Sequence, residues 1–509
     1  DAKTPSDQLP RDCMEWASRP GELIRKLFTE QKLSPLVIPH GTAWGLSTPP
    51  GADWRKALAP SESPDRIPLV EIYSGHGNSE EYRSWAEALR GADGTVSCPP
   101  PEKGYTPGCW RAGELIGERC RKAGIDAKEC EARAAQARLD YIAMGSAGHL
   151  AVPGATPEDW LDAGQCTDCF LPAMNYRPGK TIQAAVATSH FEDAQAEATR
   201  FTWGFIGSSD THRARPGTGY KQVDRRQNTD ATGPISEGWR NLMLGGGDDV
   251  DDEDPHSQSL PPEALQKIGG LRSREVERQS SFLVTGGLAA VDAAGRSREA
   301  IFDALRRREV YATSGQKILL WFDAVEKSGT RTPMGGRIAA AEAPTFTVHA
   351  VGAFKQRPGC PDFAKAGLDE SRLKTLCSGE CDNPSDERSQ IVRIEVVKIR
   401  PQTSRNEPLA DLIQDPFLVH TCDARAEGCS FTFTDATFAS GGRDALYYVK
   451  AIQEAEPMIN ADPLKCERDA GGKCVKVQLC YGDYRSGASE CTAPAEPRAW
   501  SSPIYVDHR

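Results

Sequence analysis

Asp210-Thr-His212 closes the run Trp203-Gly-Phe-Ile-Gly-Ser-Ser and sets a carboxylate and an imidazole two positions apart. On an extended chain residues i and i+2 share a face, and both side chains are good ligands for a divalent metal ion. Two other apolar runs end in the same residue types. Leu36-Val-Ile-Pro-His40 ends in a histidine, and Leu69-Val-Glu71-Ile-Tyr-Ser-Gly-His76 brings a carboxylate and another histidine. The bland reading is a capping aspartate beside hydrogen-bonded core histidines, and for a single histidine it would be the better one. Three strand-like runs ending this way, in a chain with nine histidines, favour metal ligands. Trp44 and Tyr73 read equally well as pocket walls or as core.

Something must carry these residues to one place. Up to about residue 316, apolar runs of strand length alternate with segments of helical spacing. Pro20-Gly-Glu-Leu-Ile-Arg-Lys-Leu-Phe28 puts Leu23, Ile24, Leu27 and Phe28 on one helical stripe, and a strand over 36–39 follows. A strand over 69–73 leads to Ser79-Glu-Glu-Tyr82, where Ser79 is placed to cap a helix. A strand near 282–285 and a helix over about 298–308 complete this part. Such alternation predicts a parallel sheet or a barrel with helices outside. Residues 92–178 interrupt it with Pro99-Pro-Pro101, a charged helical stretch from 111 to about 144, and six cysteines. They read as a disulfide-stapled insertion near the site mouth. The acidic run 248–254 reads as a solvated loop.

Over 317–509 the pattern changes. Ile318-Leu-Leu-Trp-Phe322, Thr345-Phe-Thr-Val-His349, Phe431-Thr-Phe433 and Ala445-Leu-Tyr-Tyr-Val-Lys450 alternate apolar and polar residues between Pro, Gly and Asp turns. That predicts an antiparallel β-sandwich-like domain.

The 509 residues suffice for two domains with substantial cores. A formal charge of −11 argues against nucleic acid or an anionic membrane surface as partner. No run of about 18 apolar residues exists, so no membrane span is expected. The sixteen cysteines lie mostly in polar loops, which predicts disulfides and a periplasmic or extracellular address. Cys166-Thr-Asp-Cys169 lacks the second pair of a zinc ribbon and reads as disulfide partners, with each other or with neighbours.

Several segments together resemble the PHP (polymerase and histidinol phosphatase) superfamily, and within it a bacterial family of unknown function. They are Val37-Ile-Pro-His40-Gly, Val70-Glu71-Ile-Tyr-Ser-Gly-His76-Gly-Asn-Ser-Glu80-Glu-Tyr-Arg83, Gly207-Ser-Ser-Asp210-Thr-His212-Arg-Ala-Arg215, Arg306-Arg-Arg-Glu-Val-Tyr and Arg498-Ala-Trp-Ser-Ser-Pro. The resemblance implies a PHP-type (β/α)7-like barrel over 1–316 and two or three divalent ions (Zn, Mn or Fe) at its strand ends. It makes Asp210 and His212 ligands of two different ions and His40 a third contact. Glu71 and His76 match positions that either bind metal or support a ligand. PHP proteins also carry an early His-x-His and an Asp-His, which this sequence lacks. The opening at Asp1 then reads as an N-terminal truncation with the first barrel strands missing.

The chemistry so implied is metal-dependent hydrolysis, in which an activated water attacks a phosphate or related ester. Arg213 and Arg215 would steady a small anionic substrate, and His76 would serve as general acid. Arg306-Arg-Arg308 reads first as the basic end of a helix. The alternative is a non-catalytic secreted binding or structural protein with a degenerate site.

Overall fold

The computed structural model describes residues 4–48, 51–91, 93–191, 198–213, 220–245, 251–268, 270–425, 427–485 and 491–509. Its centre is the strand Ala445–Gln453, every residue of which is buried. Tyr447, Val449 and Ala451 enter one core, while Leu446 and Tyr448 enter another. A strand apolar on both faces must be covered on both, and the chain builds one layer on each side.

The middle layer is an eight-stranded, mostly antiparallel sheet. Ala445–Gln453 pairs there with Ile391–Ile399, Arg498–Ser501 and Ile504–His508. Arg498–Ser501 pairs in turn with Val310–Thr313, which pairs with Leu288–Val291. The large sheet therefore includes strands from both sides of residue 316.

On one face, the four-stranded antiparallel sheet of Cys429–Phe433, Thr345–Val351, Leu319–Val325 and Arg331–Pro333 contributes Phe322, Phe346 and Val348 to a shared core. On the other lies a three-stranded sheet in which Leu69–Ser74 runs parallel to Gly204–Gly207 and antiparallel to Gly77–Asn78. Its core residues Val70, Ile72 and Phe205 pack with Tyr448, Trp500 and Tyr505 of the large sheet.

This arrangement corrects the expected (β/α)7-like barrel. Among the described residues no ring of parallel strands closes. Residues 36–39 are extended but unpaired as a strand, and 283–285 likewise run outside any sheet. Ser79 opens no helix. Ser79 N instead donates to Ile72 O at 2.8 Å, and Glu80 is fully buried, accepting from Tyr448 OH and Trp500 Nε1 at 2.6 Å each. That tertiary anchorage outweighs the local helical preference.

The charged stretch within 92–178 forms two helices, Gly108–Lys122 and Ala127–Met144, the second capped by the Asp126 carboxylate. They share a small core of Ala112, Leu115, Ile116, Ala137 and Trp160. Disulfides Cys98–Cys109, Cys120–Cys130 and Cys166–Cys169 staple the segment. Four more, Cys360–Cys381, Cys422–Cys429, Cys466–Cys474 and Cys480–Cys491, lie in the later half. Cys13 and Cys377 are free. Of the acidic run, only 251–254 lies within the described residues, and it is exposed. No described helix is long and apolar enough to cross a membrane.

Candidate metal centre

Leu69–Ser74 and Gly204–Gly207 run parallel, so the chain leaves both strands at the same edge. Ser74 ends one strand and His76 follows it, and Ser208 and Asp210 follow the other. His40 joins them from its extended segment, held by Glu71 N donating to Pro39 O at 3.2 Å. Asp210 has φ 48°, a left-handed conformation that an aspartate tolerates better than most residues. The turn fits because its neighbours have no side chain. A Cβ at Gly286 would lie 2.2 Å from Ser209 Cα, and one at Gly75 would lie 2.7 Å from Ser209 O.

The side chains converge. Asp210 Oδ2 lies 2.6 Å from His76 Nδ1, 3.3 Å from His40 Nε2 and 3.3 Å from Ser74 Oγ. The far side of His40 is fixed by Glu71, whose Oε1 lies 2.9 Å from Nδ1 while Ser208 Oγ donates to Oε2. The far side of His76 meets a residue that sequence reasoning missed. Asp230 Oδ2 is 3.1 Å from His76 Nε2 and 2.6 Å from His212 Nδ1. Two triads result, His40–His76–Asp210 and His76–His212–Asp230, each with its ligand atoms all within 4.8 Å of one another. Trp44 packs against His76 with ring centroids 4.4 Å apart, whereas Tyr73 is fully buried and donates its hydroxyl to Thr285 O.

Asp230 had no visible signal, because Asn228-Thr-Asp230 sits in a polar stretch with no apolar run to mark it. Its position is set from far away. The fully buried Arg225 donates to Cys480 O at 2.9 Å, and Gly233 N donates to Gly482 O at 2.6 Å, so the loop closed by Cys480–Cys491 grips both sides of the turn. Arg213 follows His212 and is half-buried, and Arg215 lies outside the described residues. Arg307 pairs with Glu309, and Arg308 donates to Gly335 O, consistent with a helix end.

Burial opposes a charge on His76, but the Asp210 and Asp230 carboxylates outweigh it and raise its pKa to about 9. Burial would raise Asp230, and hydrogen bonds from His76 and His212 instead lower it to about 2. His40 is raised, chiefly by its hydrogen bond with Glu71.

The donor set suits a divalent transition ion. Imidazole nitrogens and carboxylate oxygens are the usual ligands of Zn, Mn and Fe. The His76–Asp210 contact carries a further indication. At 2.6 Å it is close, yet it is not aligned as a hydrogen bond, and the buried Nδ1 has no hydrogen-bond partner. An off-line pair of nitrogen and carboxylate oxygen is an arrangement that two ligands of one cation can adopt.

Fold and site together define a disulfide-bonded α/β protein with a β-rich C-terminal region and a histidine–carboxylate centre. The chain belongs to the family described as protein of unknown function (DUF3604), which matches residues 182–508. The match takes in Asp210, His212 and Asp230 and leaves His40, Glu71 and His76 before it. Comparisons with curated proteins and with solved structures find no match.

Proposed function

We propose that the protein is a metal-dependent hydrolase of phosphate or related esters, with a site of PHP type carried by its ligand residues and not by a barrel. The observation that supports this most is the off-line approach of His76 Nδ1 and His40 Nε2 to one oxygen of Asp210. A neutral imidazole offers one lone pair. With Nε2–H donated to Asp230, and with the Nδ1 proton displaced on metal binding, His76 would direct its Nδ1 lone pair toward His40 and Asp210, and these three residues would hold the ion. Glu71 and Asp230 orient His40 and His76, as carboxylates commonly do for ligating histidines. A divalent ion bound by His40, His76 and Asp210 would supply Lewis-acid activation of a water and of the ester oxygen.

His76 is thereby assigned to the ligand set, since neither of its nitrogens faces a substrate. Proton transfer falls to His212, which is exposed and fixed at Nδ1 by Asp230, leaving Nε2 toward solvent. It would hold a proton at Nε2 and pass it to the leaving oxygen. Arg213 follows directly and would help to steady a small anionic substrate. With its disulfides, such an enzyme fits the periplasm or the extracellular space.

Elemental analysis of the purified protein, paired with hydrolysis of p-nitrophenyl phosphate and bis-p-nitrophenyl phosphate, tests the reading. At least one equivalent of Zn, Mn or Fe and a chelator-sensitive esterase activity are expected. Less than one equivalent, with no turnover after metal is added back, would overturn it in favour of a non-catalytic binding protein.

A further inference from the structure

Away from the metal centre, a cavity of about 510 Å³ opens between the end of the insertion and the large sheet. Arg83, Phe170, Glu395, Asp415, Lys450 and Arg498 line it. Its size falls within the usual range for small-molecule sites. Two of these residues are charged and at least nine-tenths buried, Lys450 at 3 % exposure and Arg498 at 9 %. Lys450 is neutralised, with Asp415 at 2.6 Å and Glu395 at 3.2 Å. Arg83 is paired with Glu81 at 2.9 Å and Asp168 at 3.1 Å.

Arg498 differs. Its guanidinium lies over the Phe170 ring at 3.8 Å and is only within 4.0 Å of Glu81, and its buried Nε has no hydrogen-bond partner. Leaving such a group unsatisfied is costly. The Cys166–Cys169 disulfide brackets Asp168 and adjoins Phe170, so this cross-link stiffens one wall of the cavity.

We propose that this cavity binds a saccharide. The charge pattern selects the ligand. A bare oxyanion could satisfy Arg498 but would face the Glu395 and Asp415 carboxylates, and a bare cation would face Arg498 and Lys450. A neutral ligand with adjacent hydroxyl groups meets both demands, because each hydroxyl donates to a carboxylate and accepts from a guanidinium or ammonium group. Carboxylates already held by cations stay fixed as acceptors, which limits the ordering cost of binding. This assignment stands on its own residues and does not depend on the metal centre.

The test uses the full chain with maltose, cellobiose and lactose, and with inorganic phosphate and cadaverine as charged comparators. Binding is followed by saturation-transfer NMR and mapped by hydrogen exchange. At least one disaccharide should bind saturably and protect the segments around 168–171 and 494–498, while phosphate and cadaverine do not. Arg498→Lys, which keeps the charge but loses the planar fork, should weaken binding roughly tenfold. Should that variant fail to fold, the exchange map of the unmodified chain decides alone. The proposal is overturned if no disaccharide binds, if phosphate or cadaverine protects these segments instead, or if the sugar protects only a different face such as that around Trp321.

Discussion

Asp230 holds His212 at two points, accepting from its backbone N at 3.1 Å through Oδ1 and meeting its Nδ1 at 2.6 Å through Oδ2. The same Oδ2 also meets His76 Nε2, so one carboxylate sets the orientation of two imidazoles. Asp230→Asn keeps the shape but weakens the acceptor. Metal affinity measured by competition with a chromogenic chelator should fall roughly 10- to 100-fold. His76→Ala, which removes a member of both triads, should abolish binding, whereas His212→Ala should leave the ion in place. Equal losses in all three variants would contradict the assigned roles.

Gly286→Ala probes the turn from outside the ligand set. Its Cβ would meet Ser209 backbone, which cannot move without displacing Asp210. A destabilisation of about 1–3 kcal/mol is expected from chemical denaturation, together with loss of bound metal. A variant of unchanged stability and full metal content would show that the turn has slack.

Glu407 offers a pH test remote from the site. Arg443 grips its carboxylate through Nη1 to Oε1 at 2.6 Å and Nη2 to Oε2 at 3.1 Å. That hydrogen bonding, against some burial, lowers its pKa to about 2 from 4.5. A depressed carboxylate stabilises the fold fully above the unfolded value and loses this contribution as pH falls from about 4.5 toward 2. Glu407→Gln should therefore cost about 1–2 kcal/mol at neutral pH, discounted for its partial exposure, and nothing near pH 2. Urea melts across that range would show a gap between the two proteins that closes on acidification. A constant gap would contradict the ion pair.

Cys377 Sγ lies 2.9 Å from Cys381 Sγ and 3.6 Å from Cys360 Sγ, so a free thiol adjoins a disulfide. Exchange would form Cys377–Cys381 and release Cys360 as the thiol. Peptide mapping of unreduced protein after mildly alkaline incubation should recover both linkages from the natural sequence and only Cys360–Cys381 from Cys377→Ser. One linkage in both would show that the thiol is inert. Native alkylation should label the exposed Cys13 faster than Cys377.

Particular residues show what the sequence could reveal. Thr345–Val351 was legible because alternation records which face is covered, whereas Ala445–Gln453 was read as a strand of the same alternating kind and is buried on both faces. His40, Glu71, His76, Asp210 and His212 were legible because each ends or punctuates an apolar run. The barrel inference failed because a short apolar run does not encode its partner. Residues 36–39 look like a strand and serve as an unpaired strap that delivers His40. Ser79 looks like a cap, but Glu80 is claimed by Tyr448 and Trp500, residues 368 and 420 positions away. Asp230 was invisible for the same reason, since its place depends on Arg225 reaching the carbonyl of Cys480.

The strand Arg498–Ser501 lies between Ala445–Gln453 and Val310–Thr313, and just past it Ser502 Oγ accepts from Phe205 N across 297 residues. A ribosome adding about 5–20 residues per second needs roughly 15 to 60 s to span that interval. For that time Phe205 N lacks its Ser502 acceptor, and the large sheet stands open where its late strands belong. The disulfides follow another schedule, since none closes a separation greater than 21 residues. Each can form as its own loop emerges. Birth of the protein is thus divided in time, with covalent closure local and early and assembly of the centre waiting on the last strands to arrive.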